Sequence, residues 1–246
     1  MIKLLTVTAT GLRRQMNQDC LACSAPGQQP VWAVVCDGMG GHAAGNIAAD
    51  AACRALSTAL EHGLREEMSA RSVSLLLETA VENANTAIFD QAASDPALKG
   101  MGTTVVAAAV LQNTLYLCHA GDSRAYLVRE GESLLLTRDH SVVQHLIDQG
   151  EITPRQAQSH PDRHLITKAV GVENHRVAPD FNIYDLRPGD MVLLCTDGLH
   201  GLVPHRELAG LCAQAAETGS AEGLAQRANE LGGSDNISAV LLYGVE

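Results

Sequence analysis

The sequence predicts a layered α+β fold, in which pairs of helices cover a mostly antiparallel sheet or a sandwich of sheets. Apolar runs typical of strands are joined by turns too short to hold a crossover helix, and helical stretches come in consecutive pairs. No linker, repeat or low-complexity tract divides the chain. We therefore expect residues 1–246 to form a single domain.

The first half of the chain alternates strands and helices in blocks. Turn-rich residues 26–30 predict that the second and third strands form a hairpin, and Gln112-Asn113 and Glu130-Gly131 predict two more tight turns. The strand patterns cover residues 2–8, 20–24, 31–36, 103–111, 115–119, 124–128 and 133–136, and helical spacing covers residues 43–60 and 72–93.

The second half begins with a polar stretch of helix and loop, residues 139–164. Strand patterns then return at residues 177–184, 191–195 and 237–243, and helical patterns cover residues 204–217 and 220–231. The second half thus adds a second pair of helices to the first.

Composition excludes several classes of protein. With 28 acidic and 17 basic residues the formal charge is −11, which disfavours binding to nucleic acid or to an anionic membrane. The longest apolar run, Val105–Leu111, is far shorter than the roughly 18 residues of a spanning helix, and the amino end lacks the pattern of a signal peptide. The seven cysteines are odd in number, and Cys20-x-x-Cys23 has no matching second pair, so we expect free thiols in the cytoplasm.

Carboxylates stand at the ends of several apolar strands. Asp37 and Asp197 each follow a strand and precede a glycine, Asp122 follows Gly121, and Asp19 and Asp235 each open a strand. Any one of these aspartates is an ordinary turn residue, but strands that end at one edge would bring all five together. Such a cluster needs cations, and oxygen ligands without His or Cys favour Mg²⁺ or Mn²⁺. Two such ions activate a shared water for attack on phosphorus, which predicts hydrolysis of a phosphate ester.

Arg14 is the candidate for orienting an anion. It lies three residues before Asn17 and five before Asp19, where a guanidinium fork could hold two phosphate oxygens, although a surface role is the plain alternative.

In their order along the chain, these residues resemble the motifs of the metal-dependent protein serine/threonine phosphatases of type 2C, in their compact bacterial form. The likeness covers essentially the whole chain. The matching segments are residues 14–19 (Arg-Gln-Met-Asn-Gln-Asp), 37–42 (Asp-Gly-Met-Gly-Gly-His), 102–104 (Gly-Thr-Thr), 121–124 (Gly-Asp-Ser-Arg), 139–141 (Asp-His-Ser), 197–198 (Asp-Gly) and 235–237 (Asp-Asn-Ile).

The resemblance implies a four-layer α-β-β-α sandwich, two mostly antiparallel sheets flanked by helix pairs, with a metal site at one end. It also implies a role for each site residue. Asp37 would bridge two metal ions, and the carbonyl of Gly38 would bind the second. Asp197 and Asp235 would complete the first ion's ligands, and Asp122 with Asp197 would hold a third, weaker ion. Two further roles are implied: Asp19 would act through a metal-bound water, and Arg14 would bind the substrate phosphate. Residues of about 139–170 correspond to the variable flap region, which is thought to influence substrate choice.

The chain departs from the pattern of many relatives in two places. Gln18 stands where many have Glu, which should weaken a water-mediated hold on the second metal, and Met39 stands where animal relatives have the His proposed to protonate the leaving group. The general acid therefore stays unassigned, with a metal-bound water preferred. We expect His42 and His140 to be structural, with residues 139–140 capping a helix through Ile147.

The resemblance implies an enzyme that hydrolyses phosphoserine and phosphothreonine monoesters in proteins with Mn²⁺ or Mg²⁺. A catalytically silent regulatory module is the alternative, although every matched metal aspartate is present. A nuclease or small-molecule phosphodiesterase is disfavoured by the charge. Expected partners are phosphoproteins and a cognate serine/threonine kinase, and we expect a monomeric, bare catalytic domain that binds neither nucleic acid nor membrane.

Overall fold

Two antiparallel sheets stack face to face, and each carries a pair of helices on its outer side. The computed structural model describes residues 1–41, 44–172 and 177–245. Every strand pairing within these residues is antiparallel. The strands are β1 (Lys3–Ala9), β2 (Asp19–Cys23), β3 (Val31–Met39), β4 (Gly102–Thr103), β5 (Val105–Leu111), β6 (Thr114–Ala120), β7 (Arg124–Arg129), β8 (Glu132–Leu135), β9 (Asp180–Asp185), β10 (Met191–Cys195) and β11 (Ile237–Tyr243).

The helices occupy the two outer layers and the flap region. They are α1 (Ala44–Gly63), α2 (Ala70–Ser94), α3 (Val142–Asp148), α4 (Pro154–Ala157), α5 (Asp197–His200), α6 (His205–Thr218) and α7 (Glu222–Glu230), with a short 3-10 helix at Pro96–Leu98. One sheet has the order β1-β11-β10-β7-β8, and the other has the order β2-β3-β5-β6-β9 with β4 beside β3. The predicted four-layer α+β fold is therefore confirmed.

Three apolar clusters match the three interfaces between these layers. Val35, Val106 and Val240 belong to the cluster between the sheets. Leu56 and Leu77 belong to the cluster that joins α1 and α2 to the second sheet, whereas α6 and α7 pack on the first sheet. Because both faces of β5 are covered, all seven of its residues are buried, which explains its unbroken apolar sequence.

A few local predictions were wrong at their edges. The strand predicted over residues 103–111 is divided at Thr104, because the amide of Thr104 donates to the carbonyl of Asp37 (2.9 Å) while the amide of Thr103 donates to that of Val170 (2.9 Å). The helix predicted to start near residues 139–140 begins later and is capped by Ser141. The last strand of the second sheet begins at Asp180 rather than 177.

Among the described residues, no helix is both long and apolar enough to cross a membrane.

Candidate active site

Five strand ends meet at one edge of the sandwich and bring the predicted aspartates together. Asp19 and Asp37 are directly paired across β2 and β3. Asp197 follows β10, Asp122 lies between β6 and β7, and Asp235 precedes β11. The charges of all four other aspartates act on Asp37, so the structure gathers the five residues that the sequence singled out.

The cluster is electrostatically costly for the protein alone. Loss of water contact raises the pKa of Asp37 well above its usual range, and the neighbouring carboxylates raise it further. Desolvation likewise raises the pKa of Asp19 and of Asp122 to about 7, with the charge of Asp197 adding to both shifts. The pKa of Asp197 is raised first by desolvation and then by the charge of Asp235. Positive charge at this site would therefore stabilise the ionised carboxylates.

The donor set fits hard divalent cations. Among the residues that the structure describes, the buried carboxylate oxygens Oδ1 of Asp19 and Oδ1 of Asp197 have no hydrogen-bond partner. Buried oxygens of this kind normally have a partner, so these two are available as ligands. Carboxylates with no Cys or His among the five suit Mg²⁺ or Mn²⁺.

The backbone around Asp37 is held on both sides. Its amide donates to Oγ1 of Thr104 (3.0 Å), and its carbonyl accepts from the amide of Thr104 (2.9 Å) and from Oγ1 of Thr103 (2.9 Å). The Gly-Thr-Thr motif thus fixes the carboxylate from which the rest of the site is built.

Gly38 and Gly45 allow the start of α1 to approach the site closely. A Cβ on Gly38 would lie 2.0 Å from the carbonyl oxygen of Gly45 and 2.6 Å from that of Gln18. The Gly38 amide donates to the Gln18 carbonyl (3.1 Å), which ties β3 to the loop before β2. Only glycine leaves room for this packing, which explains the residue type independently of any role for its carbonyl.

Arg14 lies at the rim of the cluster. Its Nη2 donates to Oδ2 of Asp235 (2.8 Å), and about half of the side chain is exposed, 53% against 32% for Asp235. The guanidinium has five donors, and this bond uses one nitrogen, so the exposed remainder of the fork can receive an anion.

Asn236 is a site residue that the sequence did not single out for a role of its own. Its Oδ1 accepts from the amide of Gln18 (2.9 Å), and its Nδ2 donates to the carbonyls of Thr10 (2.9 Å) and Met16 (2.9 Å). One buried amide therefore fastens both ends of the loop that carries Arg14. Its place directly after Asp235 in the motif was the available signal.

A second unpredicted support runs beneath Asp19. Oγ1 of Thr196 donates to Oδ2 of Asp19 (3.0 Å) and accepts from the amide of Ser238 (3.0 Å). Oγ of Ser238 shares a hydrogen bond with Oγ1 of Thr8 (2.8 Å), which accepts from Asn17 (2.8 Å), and Oδ1 of Asn17 accepts from the amide of Asp19 (3.1 Å). These hydrogen bonds form a continuous chain from the carboxylate of Asp19 back to its own amide, and they hold the carboxylate in position.

Asp139 and His140 support the Asp122 loop rather than capping a helix. Asp139 accepts two hydrogen bonds from Arg124, at 2.8 and 2.7 Å. His140 exchanges two bonds with Gly121: its amide donates to the Gly121 carbonyl (3.0 Å), and its Nδ1 accepts from the Gly121 amide (3.1 Å). The other predicted histidine, His42, lies outside the described residues.

His119, His140 and Asp180 form a separate group whose possible ligand atoms lie within 4.8 Å of one another. Because Nδ1 of His140 accepts from Gly121, its Nε2 carries the proton and donates to Oδ1 of Asp180 (3.1 Å). Nζ of Lys168 also donates to Oδ1 of Asp180 (2.9 Å). A bound cation would have to displace the His140 and Lys168 donors. We therefore interpret the group as a set of hydrogen bonds that attaches the flap region to β9.

Comparison with known proteins gives consistent matches. The family model described as Protein phosphatase 2C matches residues 12–232. The serine/threonine protein phosphatase PstP of Mycobacterium tuberculosis is 38% identical over 231 residues, which are 94% of this chain and 43% of PstP. The chain thus spans less than half of the length of that relative.

Solved structures match over the full chain. The S. agalactiae serine/threonine phosphatase has a TM-score of 0.90 and 32% identity, with all of both chains covered. The catalytic domain of PstP in complex with two manganese ions has a TM-score of 0.85 and 32% identity, with 100% of this chain and 99% of that chain covered. The fold described above is therefore shared with these proteins.

Proposed function

The chain belongs to the protein phosphatase 2C family, and we propose that it hydrolyses phosphoserine and phosphothreonine monoesters in proteins. The observation that carries the proposal is the cluster of Asp37, Asp197, Asp235 and Asp19 with Arg14 at its rim. Two of its buried carboxylate oxygens have no partner within the described part of the chain. We propose residues 1–246 as one catalytic domain, with the flap region at about 139–170.

We propose that Asp37 and the Gly38 carbonyl, with Asp197 and Asp235, hold two divalent cations, Mn²⁺ or Mg²⁺. Asp19 would assist through water, and Asp122 with Asp197 would hold a third, weaker ion. The manganese ions named in the PstP structure support this choice of metal. When bound, such ions supply positive charge for the phosphate and lower the pKa of water.

The chain's own residues hold the Asp37 carboxylate and the Arg14 guanidinium in position. The double backbone clamp from Thr103 and Thr104 keeps the Asp37 carboxylate in one place, so little reorganisation is needed when an anion arrives. The exposed donors of Arg14 would receive the non-bridging oxygens of the phosphate and orient the ester for attack in line. The Arg14–Asp235 bond holds that guanidinium beside the aspartates before substrate binds.

The test is an assay of purified protein on a phosphothreonine peptide, p-nitrophenyl phosphate and a nucleic acid, with manganese and then with chelator. We expect release of phosphate from the peptide that requires manganese and falls by orders of magnitude in Asp37→Asn. Asp90→Asn is the matched control, because Asp90 lies exposed on α2, and it should keep parental activity.

Three other results of this assay would each point to a different conclusion. Activity that persists in chelator or in Asp37→Asn would contradict the metal mechanism. Manganese binding without hydrolysis of any substrate would favour the silent regulatory module, and cleavage of nucleic acid alone would favour a nuclease.

The proposed partners are phosphorylated proteins and a cognate serine/threonine kinase. We propose that the protein acts as a monomer in the cytoplasm; the seven free thiols support a reducing compartment. Sedimentation of the purified protein tests the first of these proposals, and fractionation of cells tests the second.

A further inference from the structure

His200 and Asp197 lie on one turn of helix. Helix α5 begins at Asp197 and ends at His200. A Cβ on Gly198 would lie 1.9 Å from the carbonyl oxygen of Asn236, so this turn is pressed directly against the start of β11. A side chain that leaves the turn therefore has a rigid base.

The imidazole of His200 reaches across to the loop of Asp122. Its Nε2 lies 2.9 Å from the carbonyl oxygen of Asp122, and a carbonyl only accepts, so Nε2 carries the proton. Burial, and after it the nearby Arg124 charge, lower the pKa of His200 to about 3. This bond joins the segments of Asp197 and Asp122 directly.

The residues on both sides of Asp122 are already fixed. Gly121 exchanges two hydrogen bonds with His140, and Oγ of Ser123 shares a 2.7 Å hydrogen bond with Oγ1 of Thr104. Within the described residues, the hydrogen bond from His200 is the one that holds the carbonyl of Asp122 itself. That donor adds to the bonds on Gly121 and Ser123 by fixing the carbonyl of Asp122, and it links the segment from which the Asp122 carboxylate projects to the turn that carries Asp197.

We propose that His200 is a positioning residue that sets the spacing between the carboxylates of Asp122 and Asp197, and so the affinity of the weakest of the three cation sites. The inference rests on the proposed function for the identity of that site. His200 touches neither the phosphate nor the cations in this scheme; it acts through the Asp122 peptide.

Three substitutions separate the hydrogen bond from the volume of the ring. In His200→Gln the amide Nε2 stands three bonds from Cβ, as the imidazole Nε2 does, so it can donate to the same carbonyl. In His200→Asn the amide is one bond too short, and His200→Leu fills space without a donor. Asp122→Asn serves as the reference for loss of a ligand.

Manganese binding to the purified protein is followed by calorimetry and by the spin resonance signal of free Mn²⁺, with melting temperatures recorded in chelator. We expect His200→Leu and His200→Asn to weaken the third manganese about tenfold, as outer partners of metal ligands commonly do, and His200→Gln to stay within about twofold of the parent. The two tighter sites should change little.

Parental binding of the third manganese by His200→Leu would overturn the inference. So would a loss in His200→Gln equal to that in His200→Leu, or losses that simply follow the melting temperatures in chelator. A parent that binds only two manganese ions would overturn it, together with the proposed third site, while leaving the proposed two-cation hydrolysis intact, whereas a parent that binds none would overturn both.

Discussion

Replacing Asn236 by Ala should loosen the loop that carries Arg14 without touching a proposed ligand. The substitution removes three side-chain hydrogen bonds, from the Gln18 amide and to the carbonyls of Thr10 and Met16, each at 2.9 Å. At about 1 kcal/mol each the loss approaches 3 kcal/mol, and water that reaches the exposed Met16 side reduces it to about 2–3 kcal/mol.

For a chain of this length, that loss lowers the melting temperature by about 5–10 °C. Arg14 lies on the loosened loop, and Asp19 directly follows it. We therefore expect kcat/KM on p-nitrophenyl phosphate to fall about 10- to 100-fold as well. Urea denaturation and steady-state kinetics with saturating manganese measure the two effects.

Two further variants sharpen the result. Asn236→Asp keeps an acceptor for Gln18 but places a carboxylate oxygen against two carbonyls, so it should be at least as damaging as Ala. Asn182→Ala, on β9, is the control for losing an amide and should leave the kinetics unchanged. If Asn236→Ala kept its kinetics and stayed within about 0.5 kcal/mol of the parent, the reasoning would be refuted.

Two other predictions concern the same edge of the sandwich. In chelator, Asp19 and Asp122 with pKa values of about 7 keep protons that the unfolded chain releases above about pH 4, so the free energy of unfolding should fall as pH rises from about 4 to about 7. Urea denaturation across that range measures it; Asp19→Asn or saturating manganese should flatten the slope, and a rising curve would contradict the charge cluster. Gly198→Ala, whose Cβ would lie 1.9 Å from the Asn236 carbonyl oxygen, should cost about 2–3 kcal/mol and impair manganese binding. Gly210→Ala on α6 meets nothing within 4 Å and should instead gain up to about 1 kcal/mol, and equal effects of the two in thermal melts would refute the packing argument.

The aspartates were predictable because they stand at strand ends, where the local sequence shows both the apolar run and the carboxylate. Asp37 comes directly after the buried residues 31–36, inside a β3 that continues to Met39, and Asp197 comes shortly after β10, which is buried except at Met191. Antiparallel pairing brings these carboxylates to one edge. Periodicity thus predicts a layered α+β fold, and the carboxylates at the strand ends predict the acidic cluster, whereas the four-layer arrangement followed from the resemblance to the phosphatase family. It also predicted the helix pairs to within a few residues of their ends.

The supporting residues were not predictable in the same way. Thr196 and Ser238 are 42 positions apart, and their contact depends on the register of β10 against β11. His200 and Asp122 are 78 apart, and a lone histidine after an Asp-Gly pair shows no periodic signal. Asp139 was expected to cap a helix because its type suits that position, but the tertiary pairing with Arg124 took precedence.

The two kinds of residue have opposite effects on stability. Without cations the aspartates oppose folding near neutral pH, because desolvation and mutual repulsion raise the pKa of Asp37, Asp19 and Asp122. The neutral donors around them, Thr196, Asn236 and His200, hold each carboxylate or its backbone without neutralising it. A lysine in any of those places would relieve the repulsion but would compete with a cation for the same oxygens. Five of the chain's 28 acidic residues thus form one cluster whose charge Arg14 offsets only in part, so the cluster favours metal, and bound metal would reverse the local sign for an anionic phosphate.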